Sequence, residues 1–254
     1  QVNQDVESCY FAAQTMRTKI QYSFHELPME THGQLRDSLM NHASKVSEVT
    51  PPVIATQLCL ALADLTLQMA TWKNSAKELI EKFGGSQQHW HFLVELLTVI
   101  PEEINSRALK LGENRRQEIT DELTNSAPVM LALMNNVIEA GNDARLQAKV
   151  VRCLGSWFNI YAVPQEHIAK SKLLYLPFQV LISPDCPSNL HEAASDCVCS
   201  ALYYAADDIT RVIQDNEDLF SPDEPPTMDT IAHNQQVMNT IMHGRDFTLA
   251  EGLC

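Results

Sequence analysis

Two pairs of potential metal ligands stand close together in the sequence: His89 with His91, and Cys197 with Cys199. Imidazole and thiolate groups are the usual ligands of zinc, and a tetrahedral site needs about four of them. Neither pair has a second pair at zinc-finger spacing, and residues two apart on a helix point in different directions. We therefore predict no metal site and assign both pairs to core or surface positions.

No arrangement of residues in the sequence indicates catalysis. The His191-Glu192 pair lacks the second histidine of a zinc protease helix, and the chain contains neither a G-x-S-x-G motif nor a P-loop. The carboxylates are scattered over helical stretches, so the sequence identifies no acid–base pair. We predict a protein that is not an enzyme, with no catalytic residues and no cofactor.

The composition favours helices and protein partners. The chain has 254 residues, of which 45% are hydrophobic and only 8 are Gly, and these proportions suit a helical globular protein. The net charge is −14, and residues 207–254 hold 10 acidic against 2 basic side chains. Such a chain is a poor ligand for phosphate backbones, so we expect basic protein partners and no direct nucleic acid.

The cysteine count and the hydropathy bear on location. Seven Cys is an odd number, and most of them fall in apolar helical stretches, which suggests a reducing compartment. No run reaches the roughly 18 apolar residues of a membrane span, so we expect no membrane partner. The cytosol or the nucleus is the expected location.

Breaks at Pro and Gly divide most of the chain into helical patterns that form pairs. After a first helix over 9–24, the patterns pair as 31–48 with 52–70, 74–83 with 88–100, 114–140 with 143–161, and 165–182 with 188–206. The second helices begin about 36 to 55 residues apart, around the roughly 40–47 residues of a HEAT-type hairpin. We predict an all-α fold, a right-handed α-solenoid (α-α superhelix) of HEAT-type hairpins over 1–206 with the first hairpin incomplete. An acidic, poorly ordered segment is expected over 207–254.

The second helices carry apolar residues over a wide arc. In the helix 143–161, for example, one stripe runs through Val150 and Trp157 and a second runs through Leu154 and Phe158. A helix of this kind contacts its own partner and the hairpins on both sides. We therefore expect Trp157 and Phe158 to be core residues rather than a ligand platform, with Gly155 allowing a close helix approach.

Five long strings identify a family resemblance. They are CYFAAQTMRTKIQYSFHELP (9–28), LALADLTLQMATW (60–72), LVELLTVIPEEINSRALKLGENRR (93–116), VVRCLGSWFNI (150–160) and SNLHEAASDCVCSALY (188–203). In order and spacing they resemble the importin-β (karyopherin) family, and within it the import receptors for Ser/Arg-rich splicing factors. The resemblance runs from about residue 5 to residue 203.

The resemblance implies a HEAT solenoid that shuttles between cytoplasm and nucleus, contacts nucleoporins and carries Ser/Arg-rich cargo. It implies that Ran in its GTP form releases the cargo by binding the concave side of the N-terminal hairpins, whereas cargo binds a C-terminal arch beyond this chain. From about residue 205 the sequence no longer resembles the family.

The implied Ran surface consists of polar residues that we expect to lie off the apolar stripes. These residues are Gln14, Arg17, Gln57, Asp64, Gln68, Glu95, Glu102 and Glu103. Acidic groups there suit a basic partner, and a solvated polar face remains the alternative. Asp143 and Lys149 fit a HEAT pattern in which an acid and a base link neighbouring repeats, and Asp143 is also a plausible N-cap.

A second functional class remains open from the residues. A structural HEAT scaffold for a multiprotein complex, such as one containing a phosphatase, would use the same concave surface. Retention on Ran only in its GTP form would favour the receptor. Co-purification of a phosphatase without nucleotide dependence would favour the scaffold.

Overall fold

The computed structural model describes residues 6–47, 49–141, 143–164, 167, 173, 175–183 and 186–215, with the backbone alone for 175 and 205–215. The α-helices of these residues are α1 (Val6–Ser23), α2 (Met29–Ala43), α3 (Pro52–Gln68), α4 (Ser75–Phe83), α5 (Trp90–Glu103), α6 (Glu113–Glu139), α7 (Ala144–Phe158), α8 (Tyr175–Ile182) and α9 (Ser188–Asp215). Short 3₁₀ turns occupy Phe24–Glu26 and Gln87–His89. The described residues contain no strand, which confirms the predicted all-α class of HEAT-type hairpins.

The helices stack in two layers. The odd-helix layer (α1, α3, α5 and α7) packs in chain order, each helix against the next. Three even-numbered helices cover it: α2 packs on α3, α4 on α5 and on α6, and α6 on α7. This is the arrangement of stacked helical hairpins, in which each hairpin buries its apolar faces against its neighbours.

The helix boundaries follow local sequence signals. Pro52 occupies the first position of α3, where its missing N–H has no helical partner to lose. Asp143 is the N-cap of α7, and its side chain accepts a hydrogen bond from the Arg145 N–H, which confirms the predicted cap. The predicted and observed boundaries mostly differ by a few residues. Of the predicted helix 165–182, the structure describes 175–182 as α8, and most of 165–174 lies outside the described residues.

The wide apolar arcs are buried as predicted. In α7 the side chain of Trp157 is 0% exposed and that of Phe158 is 2% exposed, which confirms both as core residues. A Cβ placed on Gly155 would lie 3.3 Å from the Cα of Cys197 in α9. Gly155 therefore allows the close approach of α7 and α9, as the sequence predicted.

The chain divides into two compact units, 1–200 and 201–254. In the second unit the structure describes the continuation of α9 as far as Asp215. The predicted boundary at residue 206 thus lies within α9, and residues 216–254 of the predicted acidic segment lie outside the described residues. Within the described part of the chain, no helix combines the length and the hydrophobicity that a bilayer span requires.

Candidate protein-interaction surface

Arg17 lies between two carboxylates that come from different helices. Its Nε is 3.4 Å from Oδ2 of Asp64 in α3, and its Nη2 is 3.3 Å from Oε1 of Glu103 at the end of α5. We call these three residues the first ion cluster. One guanidinium therefore connects α1, α3 and α5.

Asp64 does not lie on a solvent face, and this part of the sequence prediction is wrong. Its side chain is 0% exposed, because the helix around it is apolar on nearly every side. Its Oδ1 is buried and has no hydrogen-bond partner among the described residues. Burial raises the pKa of Asp64 to about 7; the charge of Glu103 adds to the rise, and Arg17 opposes it. Desolvation thus outweighs the ion pair.

A second ion cluster joins α5 to α7 and consists of Glu95, Glu102, Lys149 and Arg152. Glu95 lies 3.1 Å from Lys149 Nζ and 3.5 Å from Arg152 Nη1, while Arg152 Nη2 lies 2.9 Å from Oε2 of Glu102. Burial raises the pKa of Glu102, and Arg152 opposes the rise. Arg152 was not among the predicted residues, although its position three residues after Lys149 places both on one face of α7.

Asp143 and Lys149 both link α7 to the preceding repeat. Oδ2 of Asp143 lies 3.0 Å from Nε2 of His91, and Lys149 Nζ donates to the His91 carbonyl at 3.0 Å. The predicted link between neighbouring repeats is confirmed, and it runs through the start of α5. His91 is thereby assigned a structural contact.

The three predicted glutamines occupy different environments. Nε2 of Gln68 donates to the Ile20 carbonyl at 2.6 Å and so connects α3 to α1. Oε1 of Gln57 is buried without a hydrogen-bond partner among the described residues. Gln14 is exposed. Among the predicted acids, Glu102 has the most accessible side chain, at 38% exposed, against 17% for Glu103 and 16% for Glu95.

Two open clefts flank the second ion cluster within the unit 1–200. A cleft of about 360 Å³ between α7 and α9 is lined by Glu102 and Arg152 on one side and by Glu192 and Asp196 on the other. A groove of about 690 Å³ at the N-terminal halves of α3, α5 and α7 includes Glu95 among its lining residues. The charged residues of this cluster therefore border space that a partner could occupy.

The chemistry of the site is that of charged side chains rather than of metal ligands or nucleophiles. Within the described ranges, no three His, Cys, Asp or Glu side chains are arranged to hold a metal ion. Burial raises the pKa of the Cys153 and Cys197 thiols to about 12, so both are neutral thiols at physiological pH. The arrangement is suited to contacts with another charged protein.

Comparison with known protein families identifies the relationship. The model of the exportin 1-like protein family matches residues 51–198, which cover α3 to α8 and the first part of α9. The chain belongs to this family. The exportin 1-like family and the relatives named transportin and importin place it among the importin-β karyopherins.

Several relatives carry names of transport proteins. The chain is 27% identical to Transportin MOS14 of Arabidopsis thaliana over 80% of its own length and 21% of that protein. It is 29% identical to mRNA transport regulator MTR10 of Saccharomyces cerevisiae, over 78% of this chain and 20% of that protein. Importin-13 of Bos taurus is 24% identical over 59% of this chain and 16% of importin-13. The chain thus spans about a fifth of the length of the first two of these relatives and less of importin-13.

Proposed function

We propose that this chain is a portion of a nuclear import receptor of the transportin-SR (transportin 3) type. The match of the exportin 1-like family over 51–198, within a stack of helical hairpins, carries the proposal. Relatives named transportin and importin-13 support a role in transport, and the five strings described above favour the Ser/Arg-protein receptors. The function is transport without catalysis, in a receptor that shuttles between cytoplasm and nucleus.

We assign Ran in its GTP form to the odd-helix layer. Glu103 of the first ion cluster and the acids of the second ion cluster and of the α7–α9 cleft would attract basic side chains of Ran, and electrostatic complementarity of this kind improves association rate and register. Because Arg17, Lys149 and Arg152 already neutralise much of this charge, the attraction should be modest. Binding of Ser/Arg-rich cargo and of nucleoporins is proposed for the whole receptor.

Glu102 offers the sharpest test of this surface, because it is the most accessible of the predicted acids. Glu102→Lys reverses the charge beside the cleft, and Glu81→Lys makes the same change on α4, where Glu81 is exposed. Calorimetric titration with Ran in both nucleotide forms should show weak, salt-sensitive binding of the GTP form alone. Glu102→Lys should weaken it several-fold, and Glu81→Lys should leave it unchanged.

Two results would contradict the proposal at different levels. Equal affinity for the GDP and GTP forms would argue against a receptor of this type, and a co-purifying phosphatase would then favour the scaffold. Equal effects of the two substitutions would retain the receptor but move the Ran contact away from Glu102. The Asp64→Lys change is unsuitable for this purpose, since Asp64 is fully buried and a lysine there would disturb packing.

A further inference from the structure

We propose that Asp64 is the proton-binding group of a latch that fastens α1 to α3 and α5, so that loss of its proton loosens α1. The latch is the first ion cluster, and its moving part is helix α1. The inference concerns the folding of the odd-helix layer and does not depend on the proposed transport function.

The geometry of the first ion cluster leaves a negative charge in excess. Two carboxylates share the single guanidinium of Arg17, and both contacts are long for charge-assisted hydrogen bonds, at 3.4 and 3.3 Å. Oδ1 of Asp64 has no donor among the described residues and no access to water. A proton on this carboxyl removes the excess charge and leaves the buried group neutral, so the closed arrangement favours the protonated form.

The charges around Asp64 come from two neighbouring helices. Arg17 on α1 and Glu103 on α5 act on it, and Asp64 is the only charged residue of α3 itself. Helices α2 and α6 also reach α3, but their charged residues, among them Arg36 and Arg115, are not among the groups that act on Asp64. Burial is the largest cause of the raised pKa, which Glu103 raises further and Arg17 lowers.

Helix α1 is the element that this proton controls. Its contacts with α3 include the Arg17 ion pair and the hydrogen bond from Gln68 to the Ile20 carbonyl. Its buried residues are Ala13 and Ile20, while Phe11 is 62% exposed on its opposite side. Because α1 buries so few side chains, its local opening is less costly than opening of the core.

The direction of the pH effect follows from proton linkage. In the closed form the pKa of Asp64 is about 7, whereas in an opened form the carboxyl returns to water and to its ordinary pKa of about 3.9. The closed form binds the proton more tightly, so its advantage is complete at low pH and falls as the pH rises towards 7. Above that value the Asp64 contribution no longer changes.

Hydrogen–deuterium exchange of the whole chain tests the latch. Protection of the α1 amides, corrected for the intrinsic effect of pH on exchange, should fall about tenfold between pH 6 and pH 8, while amides in the middle of α5 stay constant. Asp64→Asn mimics the protonated carboxyl and should keep α1 protected at both pH values. Asp37→Asn, at a side chain 69% exposed on α2, is the matched control and should retain the full pH effect.

Glu103→Gln provides an independent variant, because removal of its charge should move the midpoint of the pH effect to a lower value. Equal α1 protection at pH 6 and pH 8 in the unmodified chain would overturn the proposal. Persistence of the pH effect in Asp64→Asn would also overturn it. Should Asp64→Asn fail to fold, an unchanged midpoint in Glu103→Gln would have the same consequence.

Discussion

The indole of Trp157 replaces a backbone hydrogen bond that is missing from the last turn of α5. Pro101 lies inside the last turn of α5, and because proline has no N–H, the carbonyl four residues earlier, that of Leu97, lacks its helical donor. The indole Nε1 of Trp157 donates to this carbonyl at 2.8 Å, in a buried position. The proline of one repeat and the tryptophan of the next are therefore expected to depend on each other.

The size of this dependence can be worked out from the contacts. Trp157→Phe keeps an aromatic ring but leaves the Leu97 carbonyl buried and unpaired, which costs about 1–3 kcal/mol of unfolding free energy. Trp157→Ala adds a cavity and should cost about 3–5 kcal/mol for the lost side chain. Pro101→Ala restores a backbone N–H that can reach the Leu97 carbonyl. In the Pro101→Ala background, Trp157→Phe should leave the Leu97 carbonyl paired with the restored N–H. Its cost in unfolding free energy should then be only that of the poorer packing of the phenyl ring.

A double-mutant cycle in urea measures the coupling, with the four proteins compared by circular dichroism. We expect a coupling free energy of about 1–2 kcal/mol between positions 101 and 157. Trp90→Phe is the matched control, because Trp90 Nε1 donates to the Gly84 carbonyl at 2.8 Å and not to Leu97. If Trp157→Phe costs the same in the unmodified chain and in the Pro101→Ala background, or if Pro101→Ala rescues Trp90→Phe equally, the reasoning is refuted.

Two further substitutions test single contacts, and the second has an opposite control within the same chain. Arg115→Ala should cost about 1.5–3 kcal/mol in urea unfolding, because the guanidinium caps the end of α3 by donating to the Thr66 and Leu67 carbonyls; a loss below about 0.5 kcal/mol would contradict the cap. Gly155→Ala should destabilise the fold by about 1–3 kcal/mol, since its Cβ would press on the backbone of α9. The same change at Gly33, inside α2 with open space around it, should raise stability by about 0.5–1 kcal/mol, and thermal melts that order these two variants the other way would refute the packing argument.

The sequence predicted the hairpins well because their signals are local. Pro52 and Asp143 mark helix starts by their own backbone chemistry, and the arcs around Trp157 depend only on helical periodicity. The burial of Asp64 could also have been predicted, because apolar residues flank it on both sides in LALADLTL. We interpreted its charge as a sign of exposure, and the neighbouring residues were the better guide.

The ion clusters could not be predicted in the same way. Arg17 contacts residues 47 and 86 positions away in the chain. Which residues meet across such distances depends on the relative axial positions of the helices in successive hairpins. Periodicity fixes which face of a helix is buried but not its position along a neighbouring helix. Arg152 was missed for this reason, and the roles of Gln57 and Gln68 differ although both were predicted as surface residues.

The contact between Arg17 and Glu103 spans α3, and the cap formed by Arg115 connects α6 to α3 across the hairpin between them. In an ideal repeat protein each repeat interacts only with its immediate neighbours, so the array can unfold from its ends one repeat at a time. Contacts that skip a repeat penalise every state in which an intermediate hairpin is lost. Helices α2 to α6 should therefore unfold as one cooperative block, with few partly unfolded species beyond the separate opening of α1.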